Sequence, residues 1–276
     1  MRRVWGDQVD GVAREQLAVR FFDSFRRRVA VVPRTLSVSD VFNVPCSHTQ
    51  GWTLFVKKVS RGDDLHPHLS GAHRSLFNHD GLLNDWGIHH FHLGIKPQVK
   101  NQSLVERTGP VVIGYVTDEI FYAIGIYDHH PAPWSKPELV EILHRNWPEV
   151  ISQFKVNGFT GDSLSEYQRG HLRKKNCAIF VEVSDGTVYM PMGGFMSGVG
   201  TDMQAQCQAD IWHTEIEALQ KDCENQVKVF VEALHELGHT VDGELIGRLI
   251  LVDDGYALMF PQYGNVLGLK LADASV

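Results

Sequence analysis

Cysteine is scarce in this chain, and the few cysteines are far apart. The 276 residues include only Cys46, Cys177, Cys207 and Cys223, and no two of them form a CxxC pair. A disulfide-based scaffold is therefore not expected for this protein. The same usage of cysteine fits a reducing cytoplasm.

Long apolar runs are missing as well. No stretch approaches the roughly 18 consecutive apolar residues that a membrane span requires. The first residues are basic and lead into polar residues without an apolar signal segment. The composition is otherwise ordinary, with 43% hydrophobic and 21% charged residues. We therefore expect a globular cytoplasmic protein that has no membrane partner.

Net positive charge is also lacking, because the formal net charge is −7. This charge argues against a protein that coats nucleic acid non-specifically. The distribution is uneven, however, since residues 1–61 carry eleven Lys and Arg against five Asp and Glu. Such a basic part suits an RNA backbone or an acidic protein, or simply a solvated helix end at residues 26–28. RNA and a protein therefore both stay candidate partners.

The hydrophobic pattern predicts an α+β fold with an antiparallel central sheet, flanking helices and a long helix in the C-terminal part. We expect strands at residues 52–59, 87–93, 111–116 and 120–127, the last two joined as a hairpin. Helices are expected at residues 12–25, 136–154 and 201–237. Two further hairpins are expected at residues 176–190 and 245–260.

The pattern of predicted helices and strands changes near residue 160, which suggests that the chain divides there. The preferred division is an N-terminal α+β region at 1–160, which contains a histidine-rich sheet, and a hairpin–helix–hairpin region at 161–276. One continuous domain is the alternative.

Histidine is abundant, and seven of the fifteen histidines fall between His66 and His92. The segment DWGIHHFHLG has the composition of a strand, on which alternate side chains share a face. His90 and His92 then lie together on one face with Ile88, and the other face, with His89, Phe91 and Leu93, meets the core. Two imidazoles on an exposed strand face can bind a metal or share acid–base chemistry. The ligand spacing that known HxH metal sites require does not follow His92.

The next elements bring further polar groups toward these histidines. Arg107 precedes the predicted hairpin, and His129 and His130 end its second strand. If the three strands are adjacent, His90 or His92 converges with Arg107 and His129 on one face. Histidine exchanges protons near neutral pH, and arginine binds phosphate in a bidentate manner. The set favours metal-independent cleavage of a phosphodiester by its adjacent 2′-hydroxyl.

The hairpin sequence VIGYVTDEIFYAIGIYDHH resembles the core of the RelE-type toxin ribonucleases, and the resemblance covers residues 85–130. It implies a metal-independent endoribonuclease in which Arg107 holds the scissile phosphate and His129 acts as acid or base. His90 and His92 complete the expected catalytic set. The segments WGIHHFHLG, IYDHH and NWPE also resemble a family of bacterial proteins, but this second resemblance implies no activity.

A separate motif, HELGH, matches the HExxH pattern of zinc peptidases. In such enzymes one helix directs both histidines at a zinc ion while the glutamate activates water. His235 and His239 would be the metal ligands and Glu236 the base. Gly238, however, is typical of a helix C-cap and predicts that the helix ends before His239. Zinc is expected only if this motif is real, and otherwise no cofactor is favoured.

Two further interpretations stay open. The histidines have a purely structural role if the chain is a non-enzymatic interaction or regulatory protein. The basic run at residues 169–176 either binds phosphate or solvates the beginning of a strand, and solvation is the favoured interpretation.

Overall fold

The computed structural model describes residues 5–129, 133–160, 164–197, 201–252 and 255–269. The chain divides into two compact units, Met1–Ala209 and Asp210–Val276. The fold is α+β, as predicted, with antiparallel strand pairs and a long helix late in the chain. The division predicted near residue 160 falls inside the first unit.

A four-stranded sheet lies at the centre of the first unit. Its strands are Thr35–Val38 (β1), Ile88–His92 (β2), Pro110–Val116 (β3) and Ile120–Asp128 (β4). They lie in the order β1-β4-β3-β2, with β1 parallel to β4 and the other neighbours antiparallel. The predicted strands at 87–93, 111–116 and 120–127 and their hairpin are confirmed. The edge strand β1 adds to them.

Several helices belong to the first unit. They are Leu17–Arg26 (α1), Thr49–Arg61 (α2), Gly81–Trp86 (α3), Glu138–Asn146 (α4) and Glu166–Lys174 (α5). The strand predicted at 52–59 is wrong, because these residues belong to α2, where Phe55 and Val59 are buried on one side. The helix predicted at 136–154 ends early, since Trp147 precedes a proline and leaves the helical conformation.

Both faces of the sheet are covered. Ile88 and Ile113 pack with α4 in one hydrophobic core, whereas Phe91 and Val112 pack with α2 in another. The expectation of an exposed histidine face on β2 is therefore wrong: His92 is only 2% exposed, and His90 is half-buried. The histidines lie where the first core ends at the edge of the sheet.

A β-bulge reverses the alternation of side chains along β4. The register with β3 shifts at Ile113 and Gly114, so that one residue of β4 has no partner there. Before the bulge, Phe121 and Ala123 face the core formed with α2. After it, Tyr127 faces the core formed with α4. The bulge therefore directs the odd-numbered residues at the end of β4 toward the face of His90 and His92.

A small antiparallel sheet completes the first unit. Its strands are Lys155–Val156 (β5), Val181–Glu182 (β6) and Val188–Tyr189 (β7), with β7 in the middle. The hairpin predicted at 176–190 is confirmed in shortened form.

A 23-residue helix, Met203–Asn225 (α6), includes the boundary between the units. It is followed by Val227–Glu236 (α7), so the helix predicted at 201–237 is interrupted at Gln226. The second unit also contains the antiparallel strands Arg248–Val252 (β8), Gly255–Phe260 (β9) and Asn265–Gly268 (β10). These confirm the last predicted hairpin and add a third strand. Among the described residues, no helix has the length and apolar character needed to cross a membrane.

Candidate functional site

The predicted site residues lie at the edge of the sheet where β2 and β4 end and β3 begins. The register pairs His92 with Val111. The backbone N–H of His129 donates to the carbonyl of Gly109 at 2.8 Å, which anchors the segment after β4 beside the segment before β3. Arg107 lies on that latter segment, where it leads into β3. The strands therefore bring together residues that are up to 39 positions apart, from His90 to His129.

Three imidazoles form a cluster at this edge. The rings of His92 and His129 are stacked with their centroids 5.8 Å apart. His90 lies 6.2 Å from His92 and 6.1 Å from His129. One nitrogen from each ring can be chosen so that all three lie within 4.8 Å of one another. His90 and His129 are half-buried, whereas His92 is almost fully buried. His130 lies outside the described residues.

Arg107 extends this cluster with a guanidinium group. Its Nη1 lies 2.6 Å from Nε2 of His92. A guanidinium only donates hydrogen bonds, so Nε2 must offer its lone pair and the ring proton must reside on Nδ1. Nδ1 in turn lies 3.3 Å from both the carbonyl oxygen and the backbone nitrogen of Thr108, and with its proton it donates to the carbonyl. Arg107 itself is exposed, so the guanidinium is accessible to a substrate.

Burial, reinforced by the nearby charge of Arg107, lowers the pKa of His92 to about 3. Burial also lowers the pKa of His90. Both imidazoles therefore prefer the neutral form, which keeps a lone pair on each ring. His92 suits the role of acceptor, and it holds Arg107 in place.

An indole forms one wall of the cluster. The ring of Trp134 lies 4.7 Å from that of His90 and 5.4 Å from that of His129, measured between centroids. The carbonyl of Trp134 accepts a hydrogen bond from Arg173 on α5. Packing of the indole against both imidazoles limits their rotation and fixes the shape of the site.

A cavity of about 600 Å³ in the first unit reaches this cluster at His90. Its lining includes charged side chains from three helices or their ends: Arg27, Asp80, Arg173 and Lys174. Its volume lies within the ordinary range for small-molecule sites, about 300–1,000 Å³. Arg27 and Arg173 pair with the buried Asp23 and Asp85, so Lys174 is the lining cation best placed to meet an anionic ligand.

The basic run at residues 169–176 contributes to this cavity through the end of α5. Arg173 is buried and pairs with Asp85 at 2.5 Å, while its guanidinium lies over the ring of Trp86 at 4.4 Å. The run therefore belongs to a helix and not to the beginning of a strand, and solvation does not describe Arg173. Lys174 is exposed and lines the cavity.

Other histidines of the island have structural contacts. Nδ1 of His68 lies 2.7 Å from the carbonyl of His92, and the ring of His73 bonds to the carbonyl of Ser70. Burial lowers the pKa of both His68 and His73 to about 4, so both are neutral at pH 7. His68 in this way supports the end of β2, on which His92 lies.

The HELGH segment does not form one helical face. Helix α7 ends at Glu236, and Gly238 has a φ of +85°. The N–H of Gly238 donates to the carbonyl of His235, and that of His239 to Leu234, which is the Schellman pattern of a helix end. The C-cap predicted at Gly238 is confirmed. His239 therefore lies beyond the helix, and the zinc-peptidase alternative loses the geometry that it requires.

Two members of the site were missed by the sequence reasoning. One is Trp134, which follows the DHH segment closely but is a residue type that usually packs in a core. Thr108 sits next to Arg107, and its hydroxyl accepts from the N–H of Leu93 at 3.1 Å. Only the three-dimensional structure identifies the cavity, because its lining residues are scattered along the sequence.

No family model, curated protein or solved structure matches this chain. The likeness of residues 85–130 to RelE-type toxins stays a prediction. The function proposed below depends on the geometry of the site.

Proposed function

We propose that the edge formed by His90, His92, Arg107 and His129 cleaves RNA without a metal ion. The observation that carries this proposal is the guanidinium of Arg107, held 2.6 Å from His92 beside two further imidazoles. A fixed cation next to proton-transfer groups is what transesterification of a phosphodiester requires. The four unpaired cysteines suit the reducing cytoplasm in which we place this activity.

The chemistry assigns a role to each group. The 2′-oxygen attacks phosphorus and the bond from phosphorus to the 5′-oxygen breaks, which leaves a 2′,3′-cyclic phosphate and a 5′-hydroxyl. One imidazole takes the proton of the 2′-hydroxyl and another gives a proton to the leaving 5′-oxygen. His90 and His129 are the half-buried rings: His90, which prefers the neutral form, is assigned the acceptance of the proton, and His129 its donation to the leaving oxygen. His92 acts as a positioning residue for Arg107.

Arg107 stabilises the charge that develops on the phosphoryl oxygens. A guanidinium carries five N–H donors in a planar fork, and the contact with His92 engages one of its nitrogens. The rest of the fork can bind the two non-bridging oxygens. The cavity beyond His90 then supplies space for a neighbouring nucleotide, and Lys174 supplies a positive charge.

The test is cleavage of a labelled single-stranded RNA in EDTA by the full-length chain. We expect cyclic-phosphate products, and a loss of roughly 100-fold or more in rate for Arg107→Ala and His129→Ala. A DNA strand of the same sequence should stay intact because it lacks the 2′-hydroxyl. His235→Ala is the matched control, since it removes an exposed histidine outside the site, and it should cleave like the wild type.

Intact RNA under these conditions, with the protein shown to be folded, would contradict the proposal. Cleavage that persists in Arg107→Ala would contradict it equally, because the fixed cation would then have no part in the reaction.

A further inference from the structure

We infer that His90, His92 and His129 form a binding site for one divalent transition-metal ion of the zinc class. Each ring supplies one nitrogen, and the three nitrogens already lie within 4.8 Å of one another. This is the one group of three or more such residues that the described part of the chain brings so close. The site lies in the first unit and is separate from the HELGH segment.

The donor set selects the kind of ion. Imidazole nitrogen is a favoured ligand for Zn²⁺, Co²⁺, Ni²⁺ and Cu²⁺, whereas Mg²⁺ and Ca²⁺ prefer oxygen. Three histidines leave one tetrahedral position for water or another ligand. Zinc binds imidazole at about 2.0 Å, so the three nitrogens must approach to roughly 3.3 Å from one another. Small adjustments of the half-buried His90 and His129 side chains, within the limits set by the packing of Trp134, can provide that contraction.

The surroundings favour an ordered site. His92 lies on β2, and His129 is tied to Gly109 through its backbone N–H. The indole of Trp134 packs on both His90 and His129. The ligands therefore lose little conformational freedom when an ion binds, which is the benefit of preorganisation.

Arg107 competes with the ion. Its guanidinium occupies the lone pair on Nε2 of His92, and it brings a positive charge to the place where a cation would bind. Because Arg107 is exposed, it can turn away into solvent. Metal binding and the contact between Arg107 and His92 are therefore mutually exclusive.

This antagonism has a consequence that rests on the proposed function. A bound ion would occupy the imidazole lone pairs that accept the substrate proton and would displace Arg107 from its position. Zinc would then act as a reversible inhibitor of an enzyme that works in EDTA, and metal supply would regulate the activity.

Binding is measured on the full-length chain after treatment with EDTA and dialysis. Titration with Co²⁺ alone should give the visible absorption bands of a low-coordinate site, saturating at one ion per chain, and Zn²⁺ should displace it. We expect His129→Gln and His90→Gln each to weaken binding by more than about 100-fold. Both rings are half-buried, so these variants keep the fold more readily than a change at His92. His235→Gln is the control and should bind as the wild type does.

Arg107→Ala provides the sharpest test, because the two proposals predict opposite effects. Metal binding should become tighter, by about tenfold, since a competing positive charge is removed. RNA cleavage should be lost in the same variant. Co²⁺ binding that is unchanged in His129→Gln, or that disappears in His235→Gln, would overturn the metal site. Loss of the ribonuclease alone would leave the metal site standing, because the titration does not depend on activity.

Discussion

The two groups of histidines in this chain differ in how they relate to known patterns. His235 and His239 match a metal-peptidase motif letter by letter, yet the helix that should hold them ends at Glu236. His90, His92 and His129 match no known ligand spacing, yet their rings lie within about 6 Å of one another. A spacing in sequence thus predicts proximity only together with the secondary structure that converts it into a distance.

The physical cause differs at the two places. At the end of α7, Gly238 adopts a left-handed conformation that few other residues tolerate, and the chain leaves the helix. On β4, the bulge opposite Ile113 and Gly114 of β3 changes the face of the sheet toward which the last residues of the strand point. Without that bulge, the alternation set by Phe121 and Ala123 would direct His129 to the opposite face of the sheet. The helix end at Gly238 separates the two histidines of the HELGH motif, whereas the bulge on β4 brings His129 to the face of His90 and His92.

The largest expected effect comes from exchanging the two residues at the end of β4. A double variant, Asp128→His with His129→Asp, keeps the composition but moves the imidazole to the other face of the sheet. We expect RNA cleavage to fall by about a thousandfold, since proton transfer needs the third imidazole on the same face as His90 and His92. Position 128 is exposed, so the moved imidazole enters no core, whereas the carboxylate takes the half-buried position of His129.

The single variant Asp128→His is the control for this exchange, because it retains His129 and should retain cleavage and Co²⁺ binding. If the double variant cleaved RNA as the wild type does, the face of the sheet would not determine function. The importance assigned to the bulge would then be wrong.

A smaller effect concerns the pH dependence of folding stability, to which a buried histidine should contribute more than an exposed one. Burial, together with the charges of His66 and Arg74, lowers the pKa of His73 from 6.5 to about 4. Below pH 6.5 the unfolded chain binds a proton that the folded chain excludes, so stability is present above this pH and is lost toward pH 4. Urea unfolding at pH 7 and pH 4.5 should show this loss. In His73→Asn, the loss of unfolding free energy between pH 7 and pH 4.5 should be smaller by about 2 kcal/mol.

Asparagine can still donate to the carbonyl of Ser70, which makes this variant a fair comparison at neutral pH. His235→Asn, which makes the same substitution at an exposed histidine, is the control for the substitution itself. An equal loss of stability in the wild type and His73→Asn would show that this histidine is not excluded from protonation by the fold.

Several elements were predictable because one physical signal dominated them. The hairpin of β3 and β4 alternates around a short polar turn, and the glycine at 238 marks a helix end. Helix α2 was misread because Trp52, Phe55 and Val59 are residue types that favour strands, although their spacing is helical. The segment forms a helix because the helical spacing lets these side chains pack together against the sheet, and this packing outweighs their strand propensity.

The residues that lie together at the candidate site were predictable from the sequence, but the structural features that bring them together were not. Period-two reasoning correctly paired His90 with His92, and adjacency of the strands brought Arg107 to them. His129 joined them through a bulge that nothing in the sequence pattern marks. The burial of His92, the wall formed by Trp134 and the cavity beyond His90 depend on contacts between distant segments, which no local pattern encodes.

The smallest predicted effect is a change in the free energy of unfolding on Gly238→Ala, and its sign shows whether α7 ends before His239. If Gly238 is the left-handed cap, Gly238→Ala forces an unfavourable conformation and should lower the free energy of unfolding by about 1 kcal/mol. If α7 continued through His239, as a zinc peptidase requires, alanine would stabilise the same helix by a similar amount. Urea unfolding distinguishes the two directions without any knowledge of substrate. Apart from the two chain neighbours, no atom of the described residues lies within 4 Å of the position where the added methyl group would stand, so a steric clash does not confuse the result. Stabilisation would restore the peptidase alternative, because it would show that the backbone favours the helix on which HELGH depends.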